Sequence, residues 1–180
     1  IDFTSDMHYR VAGTVSGDQN NGNTILTAGD VNVTGTAEFA VSKYDRDLGT
    51  ITDATLNSYA FNLQGGFSVG TEIDMNLAGA IAVVTVNDNA DNAIYTAIKV
   101  QDANVTASTG TDTFGLDGQL DIDYYHSNSA ADGYDRLDWT NAFEGGVIWN
   151  PGANLPTPAN LDIDFTSDMH YRVAGTVSGD

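Results

Sequence analysis

Apolar residues in this chain return at every second position. In the first segment Phe3, Met7, Tyr9, Val11, Gly13 and Val15 fall on odd positions, and Asp2, Thr4, Asp6, His8, Arg10, Thr14 and Ser16 on even ones. A period of two is the pattern of a β-strand with one buried face. The same alternation recurs at Val31, Val33, Gly35, Ala37, Phe39 and Val41, and at Tyr59, Phe61 and Leu63, where Gly65-Gly66 is expected to break it. It continues at Met75, Leu77, Gly79, Ile81 and Val83, then from Ile94 to Val105, and at Leu116, Gly118, Leu120, Ile122 and Tyr124. Phe143, Gly145, Val147 and Trp149 suggest a last short strand.

No window sustains a 3.6-residue apolar period, although Ala130 to Asn141 could hold a helical turn. About eight antiparallel strands, each wet on one side, predict an all-β fold, a two-sheet sandwich or jelly roll.

The most specific feature is a repeat. Residues 1–18 read IDFTSDMHYRVAGTVSGD, and residues 163–180 repeat them without a change. The second copy presents the same apolar row through Phe165, Met169, Tyr171, Val173 and Val177. A β-domain normally has one slot for a given strand, because its pockets match one register. One copy is therefore expected to sit elsewhere. It would be exchanged with or donated to a neighbour's sheet, or it would open the next unit of a tandem array. The chain then divides into an N-terminal strand (1–18), a sandwich body (19–149), a linker (150–162) holding all 3 Pro residues, and the copied strand (163–180). A Pro-rich linker is extended and semi-rigid. This one is expected to carry the copy away from the sandwich, with a reach of about 30 Å that would also let it return across the body.

Composition narrows the partners. Six Lys and Arg stand against 25 Asp and Glu, a formal net charge of -19. Such a field repels nucleic acid and anionic lipid. With 41% hydrophobic residues the 180-residue chain has material for one core. The absence of Cys excludes disulfides, thiolate metal sites and Cys nucleophiles. No apolar run approaches the roughly 20 residues of a membrane helix, and no leader is visible at Ile1, so the chain reads as a mature or excised piece.

Candidate chemistry concentrates in acidic turns: Asp88 and Asp91 beside Asn89 and Asn92, Asp45 and Asp47 around Arg46, Asp132, Asp135 and Asp138, and Asp18 with Asn20 and Asn23. Calcium takes six to eight oxygen ligands, which such turns could supply. Asp and Asn are also ordinary turn formers, and none of these clusters has the spacing of an EF-hand loop. Tyr125, Tyr134, Trp139 and Trp149 could stack on sugar rings if exposed. His8, His126 and His170 lie in no recognisable catalytic context, no G-x-S-x-G elbow exists, and Glu38, Glu72 and Glu144 form no evident glycosidase pair.

The stretch Phe39 to Leu56, with Tyr44-Asp45 ahead of Leu48-Gly49-Thr50-Ile51-Thr52, resembles the opening of the choice-of-anchor type domains of bacterial exported proteins. The resemblance implies export to the cell surface or matrix and a β-sandwich, and brings no catalytic residues. The exchanged strand resembles, by architecture, donor-strand filaments such as chaperone-usher pilins. The expectation is a non-enzymatic extracellular structural protein whose partner is itself, forming filaments, matrix or tandem arrays through Phe3 to Val15 and Phe165 to Val177. It requires no cofactor, with calcium an option. The alternative is a calcium-dependent adhesin or glycan-binding sandwich module.

Overall fold

The computed structural model describes residues 6–17, 24–28, 31–49, 51–69, 73–105 and 119–178. Phe3 and the turn residues Asp18, Asn20 and Asn23 lie outside them, as does the side chain of Val177.

The fold is all-β. The strands are β1 (Met7–Ser16), β2 (Thr24–Ala28), β3 (Val31–Thr34), β4 (Thr36–Asp45) and β5 (Ala54–Val69), followed by β6 (Ile73–Asp88), β7 (Ala93–Val105), β8 (Gln119–Ala130) and β9 (Tyr171–Ser178). Every pairing is antiparallel, and the principal sheet runs β1-β4-β5-β6-β7-β8-β9. The β2-β3 hairpin attaches to the far half of β5 through β3. From β4 to β8 sequence neighbours are spatial neighbours, so of the two expected arrangements the strand order is a meander within a sandwich-like fold, not a jelly roll.

One expected strand is two. The run from Val31 to Val41 is interrupted at Gly35, and its two parts lie along β5 in the same register, Val33 opposite Phe67 and Thr36 opposite Gln64. Gly35 has φ +90° and faces Gly65, whose own φ is +154° and where a Cβ would lie 2.0 Å from the Thr34 carbonyl oxygen. Gly65-Gly66 therefore does not end β5. It lets the backbones of β5 and the β3-β4 junction touch while β5 runs on to Val69.

Apolar layers lie on both faces of the sheet. One gathers Val31, Val33, Val41, Tyr59, Phe61, Leu63, Ile81, Val83, Ile98 and Val100. The other joins Tyr44, Leu56, Ala60, Val84, Val86 and Tyr95 to residues arriving after β8, namely Trp139, Phe143, Leu155, Leu161, Ile163 and Phe165. The segment after β8 thus acts as the covering layer of this face. Two expectations change here. Residues 143–149 form a short 3-10 turn and a single bridge between Trp149 and Ile163, not a strand. Residues 150–162 are not an outbound linker, because Pro151, Gly152, Leu155 and Leu161 are buried against the sheet. Burial of the Leu155 and Leu161 side chains holds the segment to the sheet, each contributing about 1.5 to 3 kcal/mol when fully covered.

Candidate functional site: two edges built from one sequence

Both copies of the repeated strand belong to this one sheet, at its opposite ends. Residues 9–16 of β1 pair with β4, and the same eight residues reappear as 171–178 in β9, paired with β8. The expectation that one copy sits outside the domain gives way to two slots for one strand. Six successive antiparallel pairings separate the two, so they run in the same direction.

Their side chains also share orientation. Val11 pairs with Val41, a member of the Phe61 layer, and Val173 pairs with Tyr125, which packs on that same layer. Met7 and its counterpart Met169 both pack against the opposite layer, with Trp139 and Phe165. The apolar row predicted to be buried is largely open. Tyr9 is 42% and Val11 52% exposed, while Tyr171 and Val173 stand at 60% and 39%. A strand at the rim lacks the second neighbour that would cover such side chains.

What differs between the copies is the hydrogen-bonding edge in use. Gly17 N–H donates to the Gly35 carbonyl, which makes that pair a hydrogen-bonded one. Antiparallel pairs alternate between hydrogen-bonded and not, so Tyr9, Val11, Gly13 and Val15 direct their N–H and C=O groups at β4. In β9, the Asn128 N–H donates to the His170 carbonyl. There the same alternation sends the groups of Arg172, Ala174, Thr176 and Ser178 to β8. Odd residues of the repeat are used in one slot and even residues in the other. Among the described residues no strand pairs with the outer edge of either.

A bulge at His8 sets the parity in β1, since Met7 opposes Tyr44 while Tyr9 opposes Lys43. His8 itself reaches Asp45 Oδ2 at 2.5 Å. The matching irregularity next to β9 lies in β8, at Asp123, and leaves β9 regular.

The C-terminal copy is anchored by a buried polar cluster. Asn128 on β8 is fully buried and fully used. Its side-chain N–H groups donate to the carbonyls of Leu137 and Thr166, and its Oδ1 accepts from Trp139 Nε1. Lys99 Nζ donates to the Asp162 carbonyl at 2.7 Å and lies 3.6 Å from Asp164. Arg172 places its guanidinium 5.2 Å above the Tyr124 ring and 3.3 Å from His126 Nδ1. The His126 ring also lies 5.1 Å from Phe165. Burial, reinforced by Lys99 and Arg172 and opposed by Asp164, lowers the His126 pKa from 6.5 to about 4. His126 is accordingly neutral near pH 7 and accepts from Arg172. In a strand segment as polar as His126-Ser127-Asn128, alternation alone gives no sign that the last residue is buried. Only contact with Trp139 reveals it.

The acidic turns are used locally. Asp88 Oδ1 accepts the backbone N–H groups of Ala90 and Asp91, and Asp47 accepts that of Asp53. Asp45 engages His8 and Thr55. Asp138 accepts from Thr140 and Asn141, which holds its carboxyl below the usual range. Asp132 and Asp135 are exposed, and among the described residues no three His, Asp or Glu side chains converge. Asp88, Asp91 and Asp135 all lie near Tyr95, whose phenol is pushed up by burial first and then by these charges.

The aromatic residues considered for sugar stacking divide. Trp139 is buried completely, which removes it from any ligand platform. Trp149 stacks on Phe143 at 5.3 Å and donates to Ser58. Tyr125 packs in the Phe61 layer, and Tyr134 is 41% exposed. Glu38 binds Thr157 through both carboxylate oxygens, tying the covering segment to β4. No helix among the described residues is long and apolar enough to cross a membrane. No family model, no curated protein and no solved structure matches this chain.

Proposed function

We propose that this protein is a non-enzymatic extracellular structural unit that joins head to tail with further copies through its repeated strand, giving filaments or tandem arrays. The observation that carries the reading is the placement of one sequence at both rims of one sheet, with complementary hydrogen-bonding edges. A contact between the two ends of a unit is heterologous, and a heterologous contact that does not close propagates. The exposed apolar residues Tyr9, Val11, Tyr171 and Val173 lie on those rims. An exposed apolar edge is a hazard that proteins usually blunt with charge or Pro, and its retention here fits a surface meant to be covered. The net charge of -19 keeps such units apart except where the edges meet.

Sedimentation velocity tests the reading on the full chain, alone and mixed with a Val11→Pro chain whose own β1 is weakened. Joined species in either sample support it. Separate monomers in both, at concentrations up to the millimolar range, would sink it.

A further inference from the structure

We infer that the joint is a shared strand: Tyr171–Ser178 of one unit is at once its own ninth strand and the first strand of the unit that follows. This rests on the head-to-tail reading and specifies its geometry.

Direction, facing and edge use of the two slots agree, the third following from the first two, because in a strand of L-residues the direction and the side-chain face fix which edge each residue's N–H and C=O address. Direction agrees, because β1 and β9 run the same way across six reversals. Facing agrees, because Val11 and Val173 both turn to the Phe61 layer, and the next residue of each copy turns to the other. Edge use is complementary. The β4 slot takes the odd residues of the repeat and the β8 slot the even ones, so both can be filled by one strand at the same moment. The overlap is limited to residues 9–16 and 171–178, where neither copy is bulged.

A shared strand makes the sheet continuous. Each unit then adds six strands rather than seven, and at about 4.8 Å per strand the step along the sheet is about 29 Å. An even number of antiparallel strands returns every unit in the same orientation, as an open array requires. In separate chains the β4 slot is already held by the chain's own β1, whose tether gives it an effective concentration in the millimolar range or above. Free wild-type chains are therefore expected to stay closed, whereas a junction inside one polypeptide has a single strand for two slots.

The test uses full chains. The acceptor carries Val11→Pro, which deletes a hydrogen bond to β4, together with Glu38→Cys. The donor carries Thr176→Cys. Thr14 opposes Glu38 in β1, so the corresponding Thr176 should come within disulfide reach of it. The expected result is a covalent one-to-one species, at least about ten-fold above the yield with a donor that also carries Val173→Pro, whose missing N–H would have faced the acceptor's β4. Gly13→Pro is a second acceptor should Val11→Pro fail to fold. A disulfide between Thr176→Cys and Thr14→Cys chains instead would mean that the edges stack side by side. That outcome overturns strand sharing while leaving head-to-tail joining intact. Absence of association in every mixture overturns both.

Discussion

Val11 and Val173 are the same residue of the same 18-residue sequence, yet the N–H of Val11 points inward at Val41 while that of Val173 points away from the sheet. The difference follows from one register rule applied at two rims. It makes the effect of a proline at each position calculable.

Val173→Pro removes an N–H that has no partner in the sheet, and Ala174→Pro removes one directed at β8. The first should change unfolding free energy by less than about 1 kcal/mol and the second should lower it by about 2 to 3 kcal/mol. In β1 the order reverses, with Ala12→Pro mild and Val11→Pro severe. Chemical denaturation of the four variants checks both pairs.

Acid should weaken the anchor of the C-terminal copy. The folded pKa of His126 lies below its unfolded value, so its contribution is complete above about pH 6.5 and is lost as pH falls toward about 4. The whole shift corresponds to at most about 3 kcal/mol. Asp164, Lys99 and Arg172 face the ring, and only Asp164 would favour the proton. Urea midpoints at about pH 7.5 and about pH 5 should therefore differ more in the wild type than in a His126→Gln chain, where this term is absent. An equal difference in the two would contradict the assignment.

Asn128→Ala should be among the most damaging single changes in the chain. It strands the fully buried Trp139 Nε1 and takes the side-chain donor from the carbonyls of Leu137 and Thr166. A loss of about 3 kcal/mol is expected, with faster amide exchange in β9 than in β5. A loss under about 0.5 kcal/mol would mean that the anchor is not structural.

Two glycines with positive φ separate conformational strain from steric conflict. Gly133, at φ +88°, has nothing within 4 Å of an added Cβ, so Gly133→Ala should cost about 1 kcal/mol. Gly65→Ala places its methyl carbon on the Thr34 carbonyl and should cost about 2 to 4 kcal/mol. Thermal melts of the two variants are the comparison.

The sequence made the strands legible because alternation is a local property. Ile73 to Val83 and Ile94 to Val105 read as strands and are strands. It misled wherever a residue's fate depended on a distant partner. Phe143 to Trp149 alternates like a strand, but Phe143 and Trp149 fill the layer beside Tyr44 from a loop while Val147 is exposed. Gly65-Gly66 looks like an ending because glycine usually weakens a strand, whereas here the lack of a Cβ lets Gly35 approach. The repeat was visible as an identity of residues. That its copies use opposite edges was not, because edge use is set by the bulge at His8 and by the partner's register.

Residue-resolved hydrogen exchange on the full chain tests the central claim most directly. In the free protein the amides of Tyr9, Val11, Gly13 and Val15 should be protected and those of Arg10, Ala12 and Thr14 should exchange. In β9 the pattern should invert, with Arg172, Ala174 and Thr176 protected and Val173 and Gly175 open. On addition of the Val11→Pro acceptor, Val173 and Gly175 should become protected by at least about ten-fold, as hydrogen-bonded strand amides do. The same pattern in both copies, or β9 amides that stay open when units associate, would contradict a strand shared between two sheets.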